Sequence, residues 1–366
     1  MAGGQYVPLQ RLNAGATEVW YARLEGAEGF RRPIVLKIAR TPEARRDLIR
    51  EASIGAALAH PLIAQVFELF ELDGALALAL EHVPGLSLRA LLDELARTEG
   101  RMPWPIAACI VADTARALAH AHEACDARGV SLGLVHRDVG PANLLAGETG
   151  FTKVLDFGIA QSALAEHTTH LVRGTPGYLS PEQAAGWPVD WRSDVFSLGA
   201  VLYELVAGHA LISGASDAAF AQLAQHGVPP LDESIDPTVR TLVKRMLAVR
   251  PEQRMLPMAE VADALEASAV GRGGGHRDVQ SFLQSEAGPL LSRRRKRLSE
   301  WAMGRHEAHA ILRGGAAPAR EASTLTLLES ALDSSDPHPL FDDQSVETHV
   351  ELTEDEATEL DSGRRR

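Results

Sequence analysis

The residues most able to do chemistry lie in two short segments near the middle of the chain. His136-Arg137-Asp138 is followed by Asn143 five positions after the aspartate, and Asp156-Phe157-Gly158 begins thirteen positions later. Carboxylate and amide oxygens are the ligands that a hard cation such as Mg²⁺ prefers. Phosphoryl transfer needs such cations, together with an acceptor hydroxyl aligned with the γ-phosphate. Each residue alone could equally be a cap or a turn residue, whereas the set together offers the oxygen ligands that such chemistry requires.

Further downstream, Ser180-Pro181-Glu182 completes an order of segments that resembles the catalytic loop, the metal loop and the end of the activation segment of protein kinases. The chain is therefore similar to the eukaryotic-type protein Ser/Thr kinases, and residues 174–183 resemble the bacterial, Hanks-type members of that family. The resemblance extends from about Leu9 to Leu265. It implies an α+β, bilobal protein-kinase fold, with a small β-rich N-lobe that carries one key helix and a larger, mainly helical C-lobe.

The resemblance gives roles to the central residues. It implies that Asp138 accepts or orients the proton of the substrate hydroxyl, with Arg137 beside it, and that Asn143 and Asp156 are the ligands of Mg²⁺. Thr175 is expected to position the protein substrate and to favour Ser or Thr over Tyr as the acceptor. Structural roles are expected for His136, Phe157, Glu182, Asp194 and Arg254. Of these, Asp194 is expected to brace the catalytic loop, and Arg254 is expected to pair with Glu182.

The residues expected to bind ATP begin upstream of these segments. Lys37 stands at the end of an apolar strand, where an unpaired charge is costly to bury, and Glu51 on the following helix is its natural partner. The pair is expected to hold the α- and β-phosphates, and two independent surface charges are the alternative. By resemblance, Leu80 is the gatekeeper of the adenine pocket. The other residues expected to bind ATP are Gly15, Val19, Glu81, Val83, Leu145, Asn143 and Asp156, with Glu81 and Val83 acting through their backbones.

Two departures from the family pattern bear on the strength of catalysis. The glycine-rich loop keeps only Gly15 and is one residue short, which is expected to weaken ATP binding, although Asn13 tolerates the backbone geometry of a tight turn. Position 140, where Ser/Thr kinases usually carry a lysine, is a glycine. Losing one such contact to the γ-phosphate costs about 3 kcal/mol, or about a hundredfold in rate, unless a neighbouring basic residue substitutes.

Three classes of function are compatible with these residues. An active Mg²⁺- and ATP-dependent protein Ser/Thr kinase, acting in signalling and phosphorylating itself, is the leading hypothesis because the full catalytic set is present. A pseudokinase that serves as a nucleotide-binding or scaffold module is the alternative, because Gly140 and the reduced glycine loop weaken the pattern. A small-molecule phosphotransferase is the third class, and the substrate-positioning segment 174–182 argues against it.

The elements that position these residues are predicted from apolar spacing and turn signals. Strands are expected at 34–39 and 76–83, and helices at 42–58, 88–96, 105–124, 194–207 and 238–247. A strand-rich first part followed by a helical second part is typical of an α+β architecture.

Composition limits the class of protein and its surroundings. The net charge of −13 argues against a nucleic-acid surface. Cys109 and Cys125 are the only cysteines and form no CxxC pair, so we expect no disulfide framework and a cytoplasmic location. His120 and His122 point to different sides of a helix, which argues against a metal site with Cys125. We expect no signal peptide and no membrane span, because the longest apolar stretch, 106–121, is interrupted by charges.

Composition also divides the chain into five regions. They are an N-lobe at 1–83, a C-lobe at 84–270, a glycine-rich linker at 271–277, an amphipathic helical extension at 278–313 and a disordered, acidic Ser/Thr-rich tail at 314–366. The extension is expected to form one or two helices over 278–303, with the basic cluster at 293–297 on a solvated face.

Thr168 and Thr169 in the activation segment are expected phosphorylation sites. Thr358-Glu359-Leu360-Asp361 resembles a pattern that phospho-threonine-reading partners bind, and a plain solubilising tail is the alternative.

Overall fold

The N-lobe is a five-stranded antiparallel sheet with one helix packed against it. In this computed structural model the described residues are 5–126, 128–157, 161–162, 174–212, 217–254 and 257–303. The elements of the N-lobe are β1 (Gln5–Arg11), β2 (Thr17–Glu25), β3 (Arg31–Ala39), α1 (Pro42–Ala57), β4 (Val66–Leu72) and β5 (Ala75–Glu81). The strand order is β1-β2-β3-β5-β4, and α1 connects β3 to β4.

The register of this sheet decides which side chains face the C-lobe. Strands β2 and β3 pair with Val19 opposite Lys37 and with Tyr21 opposite Val35. Side chains directly opposite each other project from the same face of a sheet, and residues two apart along a strand share that face. The four side chains therefore lie on one face, which carries the lysine and the larger of the two apolar clusters of this lobe.

Helix α1 begins at a strong start signal and buries an acidic residue. The Thr41 hydroxyl accepts a hydrogen bond from the backbone N–H of Ala44 at 3.2 Å, and a proline occupies the first helical position. The buried face of α1 includes Leu48 and Glu51. A carboxylate buried against the sheet needs a cationic partner, and β3 supplies one.

The C-lobe is mainly helical. Its helices are α2 (Leu88–Arg97), α3 (Trp104–His122), α4 (Pro181–Ala184), α5 (Trp191–Ala207), α6 (Asp217–His226), α7 (Pro237–Met246), α8 (Met258–Ala269) and α9 (His276–Met303). Its strands are β6 (Gly85–Ser87), β7 (Leu134–Val135), β8 (Leu144–Gly147), β9 (Thr152–Val154) and β10 (Gln161–Ser162). Strands β6, β8 and β9 form a three-stranded sheet in that order, and β7 pairs with β10. The strand-rich first part and the helical second part expected from the sequence are both present.

The long apolar stretch at 106–121 belongs to α3, which is buried along most of its length inside this lobe. Asp113, one of the charges that interrupt the stretch, is buried and accepts a hydrogen bond from the backbone N–H of Thr152 at 2.8 Å. Within the described residues, no helix combines the length and the apolarity that crossing a bilayer requires.

The connection to the last helix is shorter than the linker expected at 271–277. Helix α9 begins at His276, inside that range, and continues as one helix to Met303. A Cβ on Gly274 would lie 2.4 Å from the Cβ of Ala269 and 2.7 Å from the carbonyl oxygen of Pro105. Glycine at this position therefore permits close packing of the turn, and the described part of the extension is a single helix joined to the C-lobe by a packed turn.

Candidate active site

Lys37 lies between two carboxylates in the cleft between the lobes. Its Nζ is 2.7 Å from Oε1 of Glu51 on α1 and 2.8 Å from Oδ1 of Asp156 in the C-lobe. Burial alone lowers the pKa of Lys37, but the carboxylates of Asp156 and Glu51 raise the pKa overall, so the ammonium group stays charged. Burial raises the pKa of the Glu51 carboxyl. The structure brings the expected pair together and adds Asp156 as a second partner of the lysine.

The backbone at Asp156 is unusual. This residue follows β9 and has a φ of 55°, which falls in the left-handed region that residues with a Cβ rarely adopt. Such strained conformations cluster at functional sites and persist where the surrounding structure holds them. Here the carboxylate of Asp156 is held by the ammonium group of Lys37.

Asp138 is held by hydrogen bonds from two directions. Its Oδ1 accepts from the backbone N–H and the hydroxyl of Thr175 at 2.8 and 2.7 Å, and its Oδ2 accepts from Nδ2 of Asn143 at 2.7 Å. The Nδ2 group of Asn143 also donates to the backbone carbonyl of Asp138 at 2.9 Å. The carboxylate that is expected to receive the substrate proton is therefore fixed between the catalytic loop and the substrate-positioning segment.

The side-chain oxygen of Asn143 is a buried acceptor that suits a hard cation. Both hydrogen bonds of its Nδ2 go to Asp138, while its buried Oδ1 has no hydrogen-bond partner among the described residues. A buried acceptor without a donor carries a desolvation cost. Together with the carboxylate of Asp156, this oxygen makes the oxygen-only donor set that a hard divalent cation such as Mg²⁺ prefers. The residues present therefore fit a divalent metal.

Asp194 on α5 fixes the backbone of the catalytic loop. Its fully buried carboxylate accepts hydrogen bonds from the backbone N–H groups of His136 and Arg137 at 2.8 and 2.9 Å, and it lies 2.8 Å from Nε2 of His122. Burial alone raises the pKa of Asp194, but the His122 ring and these bonds hold it below its ordinary value. Arg137 has a φ of 68°, so the loop turns sharply at the residue before Asp138. The bracing contact expected of Asp194 is present.

The substrate-positioning segment is anchored by a buried ion pair. Arg254 is fully buried and donates through Nη1 and Nη2 to the two oxygens of Glu182 at 2.7 and 2.8 Å. The same guanidinium donates to the backbone carbonyls of Ala248, Arg192 and Val249. Burial alone raises the pKa of Glu182, but its hydrogen bonds to Arg254 lower it overall. The paired, fork-like geometry is specific to arginine.

An apolar cavity opens between the lobes beside this polar cluster. Val35, Leu80 and Leu145 line it, and so do residues 81–83, which we call the hinge because they connect the lobes. The side chain of Glu81 pairs with Nζ of Lys153 at 2.8 Å. Phe157 also lines the cavity, and its ring meets that of His136 edge to face at 4.6 Å.

The shortened loop between β1 and β2 closes through an asparagine. Oδ1 of Asn13 accepts a hydrogen bond from the backbone N–H of Val19 at 2.7 Å. The backbone N–H of Leu12 donates to the Val19 carbonyl at 2.8 Å. Gly15 and Val19 are both buried and are not among the residues that line the cavity, and Val19 belongs to the apolar cluster of the N-lobe.

One group of residues at the site was missed by sequence reasoning. The Tyr178 hydroxyl donates to Oε2 of Glu204, Nη1 of Arg89 donates to Oε1 of the same carboxylate at 3.2 Å, and the backbone N–H of Arg89 donates to the Pro141 carbonyl at 3.0 Å. Of these residues, Tyr178 lies beside Gly140, whose added Cβ would lie 3.5 Å from the Tyr178 ring. A glutamate near the end of the apolar helix α5 was the available signal, since a charge in such a helix needs a partner.

The histidines near α3 have local partners. His122 contacts Asp194, and the ring of His120 stacks on that of His60 with centroids 4.9 Å apart. In the parts of the chain that the structure describes, no group of three or more His, Cys, Asp or Glu side chains is arranged to hold a metal ion. The predicted phosphorylation sites Thr168 and Thr169, the glycine of the metal loop (residue 158) and the tail at 314–366 lie outside the described residues.

Comparisons with known proteins agree with this geometry. The profile of the protein kinase domain family matches residues 30–264. Tyrosine-protein kinase MasK of Myxococcus xanthus is 34% identical over 309 residues, covering 81% of this chain and 48% of that protein. Serine/threonine-protein kinase PknB of Mycobacterium leprae is 39% identical over 236 residues, covering 61% of this chain and 36% of that protein. A probable serine/threonine-protein kinase of Corynebacterium efficiens is 36% identical over 272 residues, covering 69% and 39%. The chain thus spans between about a third and a half of the length of these relatives.

Proposed function

Since the chain belongs to the protein kinase domain family, we propose that it is an ATP-dependent protein serine/threonine kinase that transfers the γ-phosphate of ATP to protein hydroxyls. Membership of the family confirms the resemblance and the bilobal fold inferred from the sequence. The observation that carries the proposal is the set of contacts around the cleft. Lys37 is paired with Glu51 and Asp156, and Asp138 is oriented by Thr175 and Asn143.

Each residue has a role that its contacts support. We assign Asp138 to orienting the acceptor hydroxyl and receiving its proton, because its carboxylate is fixed at the substrate-positioning segment. Lys37 would hold the α- and β-phosphates, because its charge is secured by two carboxylates. The apolar side chains of Val35 and Leu145 would pack on the adenine ring, while the backbones of Glu81 and Val83 bind its edge.

We propose Mg²⁺ as the metal that accompanies ATP. The Oδ1 of Asn143 and the carboxylate of Asp156 would hold it, because both are hard oxygen donors and the first has no other partner among the described residues. When bound, the metal neutralises charge on the phosphates during transfer. The ammonium group of Lys37, 2.8 Å from Oδ1 of Asp156, holds this carboxylate in place.

The acceptor residue is proposed to be Ser or Thr. The hydroxyl and the backbone N–H of Thr175 contact the catalytic carboxylate, so the substrate-positioning segment approaches Asp138 closely. Two of the three relatives described above are named as serine/threonine kinases, and one is named as a tyrosine kinase. Identification of the phosphorylated amino acid by acid hydrolysis distinguishes the two, and phosphotyrosine alone would refute the proposal.

The decisive experiment measures labelled phosphate transferred from ATP·Mg²⁺ to the full chain and to a generic protein substrate. Wild type is compared with Asp138→Asn, which keeps the shape of the side chain and removes its charge. We expect transfer by wild type and a loss of at least about a hundredfold in the variant, because a positioned general base contributes 10²–10⁴-fold. ATP binding should be retained in both. Binding without transfer in wild type would support the pseudokinase instead.

Three further proposals concern the surroundings of the domain. The activation-segment residues Thr168 and Thr169 are proposed phosphorylation sites, because Arg137 beside the catalytic aspartate can pair with a phosphate. The acidic tail is proposed to present a phosphorylated Thr358 to a phospho-threonine-reading partner. We also propose that the domain works in the cytoplasm, because two cysteines without a disulfide framework suit a reducing compartment.

A further inference from the structure

The last helix lies outside the family match and touches both lobes. The match ends at residue 264, whereas α9 spans His276–Met303. Most of α9 packs on α2 and α3 of the C-lobe, and its last turn packs on the apolar cluster of the N-lobe. One continuous helix therefore connects the two lobes independently of the hinge.

The attachment to the C-lobe is extensive. His276 at the start of α9 lies 3.0 Å from Oδ1 of the buried Asp113, and its ring stacks on Phe151. The side chain of Gln280 donates to the Glu148 carbonyl at 3.0 Å. Five apolar residues of α9 belong to the C-lobe core: Val279, Leu283, Ala287, Leu290 and Leu291. This part of the helix is a fixed component of the C-lobe.

The attachment to the N-lobe is small and specific. Leu298 and Trp301 pack against the apolar cluster of the sheet, and the Trp301 ring lies 5.7 Å from that of Tyr21. Nη1 of Arg23 donates to the Ala302 carbonyl at 2.9 Å. Carbonyls in the last turn of a helix have no partner within the helix, so an arginine from the sheet is a favourable cap.

Tyr21 transmits this contact to the hinge. On its other side its ring meets the edge of His82 at 5.3 Å, and in the sheet it stands opposite Val35, which lines the cavity. Nδ1 of His82 is buried and has no hydrogen-bond partner among the described residues. Packing therefore holds His82, the middle residue of the hinge. Its neighbours Glu81 and Val83 are the residues whose backbones are proposed to bind adenine.

We propose that Trp301 is a positioning residue for ATP binding, which acts through Tyr21 on the hinge and thereby makes α9 a strap between the lobes. The inference rests on the proposed function, because it takes the interlobe cavity to be the ATP site. Removing the indole ring frees Tyr21 and His82 to move, so the hinge backbone and the cavity wall at Val35 lose their fixed positions. ATP then binds less tightly, while the catalytic loop keeps the geometry that Thr175 and Asp194 give it.

One relative carries the same part of the chain. The match to the Myxococcus xanthus kinase covers 81% of the 366 residues, which is about 296 residues, so a continuous match ends no earlier than about residue 296. It therefore includes most of α9. The similarity to this relative therefore extends beyond the residues matched by the family profile and into α9.

The test is calorimetric titration of ATP·Mg²⁺ into the full chain. For Trp301→Ala we expect the Kd for ATP to rise about threefold to thirtyfold, the range for a residue that acts through its neighbours. Trp301→Phe should restore most of the affinity, because a ring still packs on Tyr21. Trp187→Ala is the matched control, since Trp187 is 65% exposed and does not line the cavity. In kinetic assays the KM for ATP should rise in Trp301→Ala, while the KM for the protein substrate stays unchanged.

Two results would overturn the inference. One is wild-type affinity for ATP in Trp301→Ala, and the other is an equal loss of affinity in Trp187→Ala. If circular dichroism shows that Trp301→Ala is not folded, Arg23→Gln tests the same contact from the N-lobe side and must weaken ATP binding. Wild type that binds ATP and transfers no phosphate would refute the proposed function while leaving this test valid.

Discussion

Replacing Gly140 by lysine should accelerate phosphate transfer. Gly140 is not among the described glycines with positive φ, so a side chain there causes no backbone strain. An added Cβ would lie 3.5 Å from the Tyr178 ring and 3.8 Å from Oγ1 of Thr175, which are ordinary contact distances. Because that hydroxyl donates to Asp138, a side chain at 140 begins next to the catalytic carboxylate. Gly140→Lys is therefore sterically compatible with the site.

The expected gain follows from charge and entropy. An ammonium group about 4 Å from a phosphate charge contributes about 4 kcal/mol at an effective dielectric constant of about 20. Ordering a lysine side chain costs up to about 2 kcal/mol. The remaining 2 kcal/mol or so corresponds to an increase of about thirtyfold in the rate of the chemical step. The gain is smaller where product release limits turnover.

The assay compares single-turnover transfer rates of wild type, Gly140→Lys and Gly140→Met. Methionine fills a similar volume without the charge, so it controls for packing and for the lost flexibility of glycine. We expect the lysine variant to be faster than both other proteins, with the difference reduced at high salt. A lysine variant no faster than the methionine variant would refute the reasoning, and it would mean that another cation already supplies this charge.

Two further predictions concern buried groups. Arg254→Met should lower the free energy of unfolding by about 3–5 kcal/mol, because it leaves the buried Glu182 without its cation. Urea denaturation measures this change. A loss below about 1 kcal/mol would contradict the burial of this pair. His82→Phe should remove a pH dependence of stability. Burial lowers the pKa of His82 to about 4, so the unfolded chain takes up a proton near pH 6.5 that the folded chain rejects. Wild type should therefore lose about 3 kcal/mol, relative to the variant, as the pH falls from 6.5 to 4. Parallel stability curves for the two proteins would show that this histidine does not titrate differently on unfolding.

Much of the proposed site could be predicted because it depends on residues that are close together in the sequence. Spacing within 136–143 and 156–158 predicted the segments that are proposed to be catalytic and metal-binding, and the apolar strand before Lys37 indicated a partner on the next helix. Local start signals also placed α1, which begins at Pro42 as expected. Helix α5 was expected to begin at Asp194 but begins at Trp191, because Asp190 caps it and the polar Arg192 hides the apolar spacing of its first turn.

The remaining features depend on contacts between distant parts of the chain. The sequence did not indicate that Lys37 also reaches Asp156, since 119 residues separate the two. The contact of Arg89 with Glu204 spans 115 residues and forms only when the first turn of α2 meets the last turn of α5. The glycines at 271–275 predicted a flexible linker, whereas Gly274 packs closely on Ala269 and on Pro105 of α3, which is far away in the sequence. Local sequence patterns carry no information about contacts between residues that are far apart in the chain.

The position of α9 also has a consequence for how the protein is made. The core of the C-lobe includes Val279, Leu283 and Leu290, which are synthesised after the last residue of the family match. Until these residues have left the ribosome, the apolar surface of α2 and α3 that they cover faces water. The domain is therefore incomplete at residue 264, because the C-lobe core closes only at Leu291 and the contact with the N-lobe only at Trp301. Expression of the domain for laboratory work should accordingly extend through Met303.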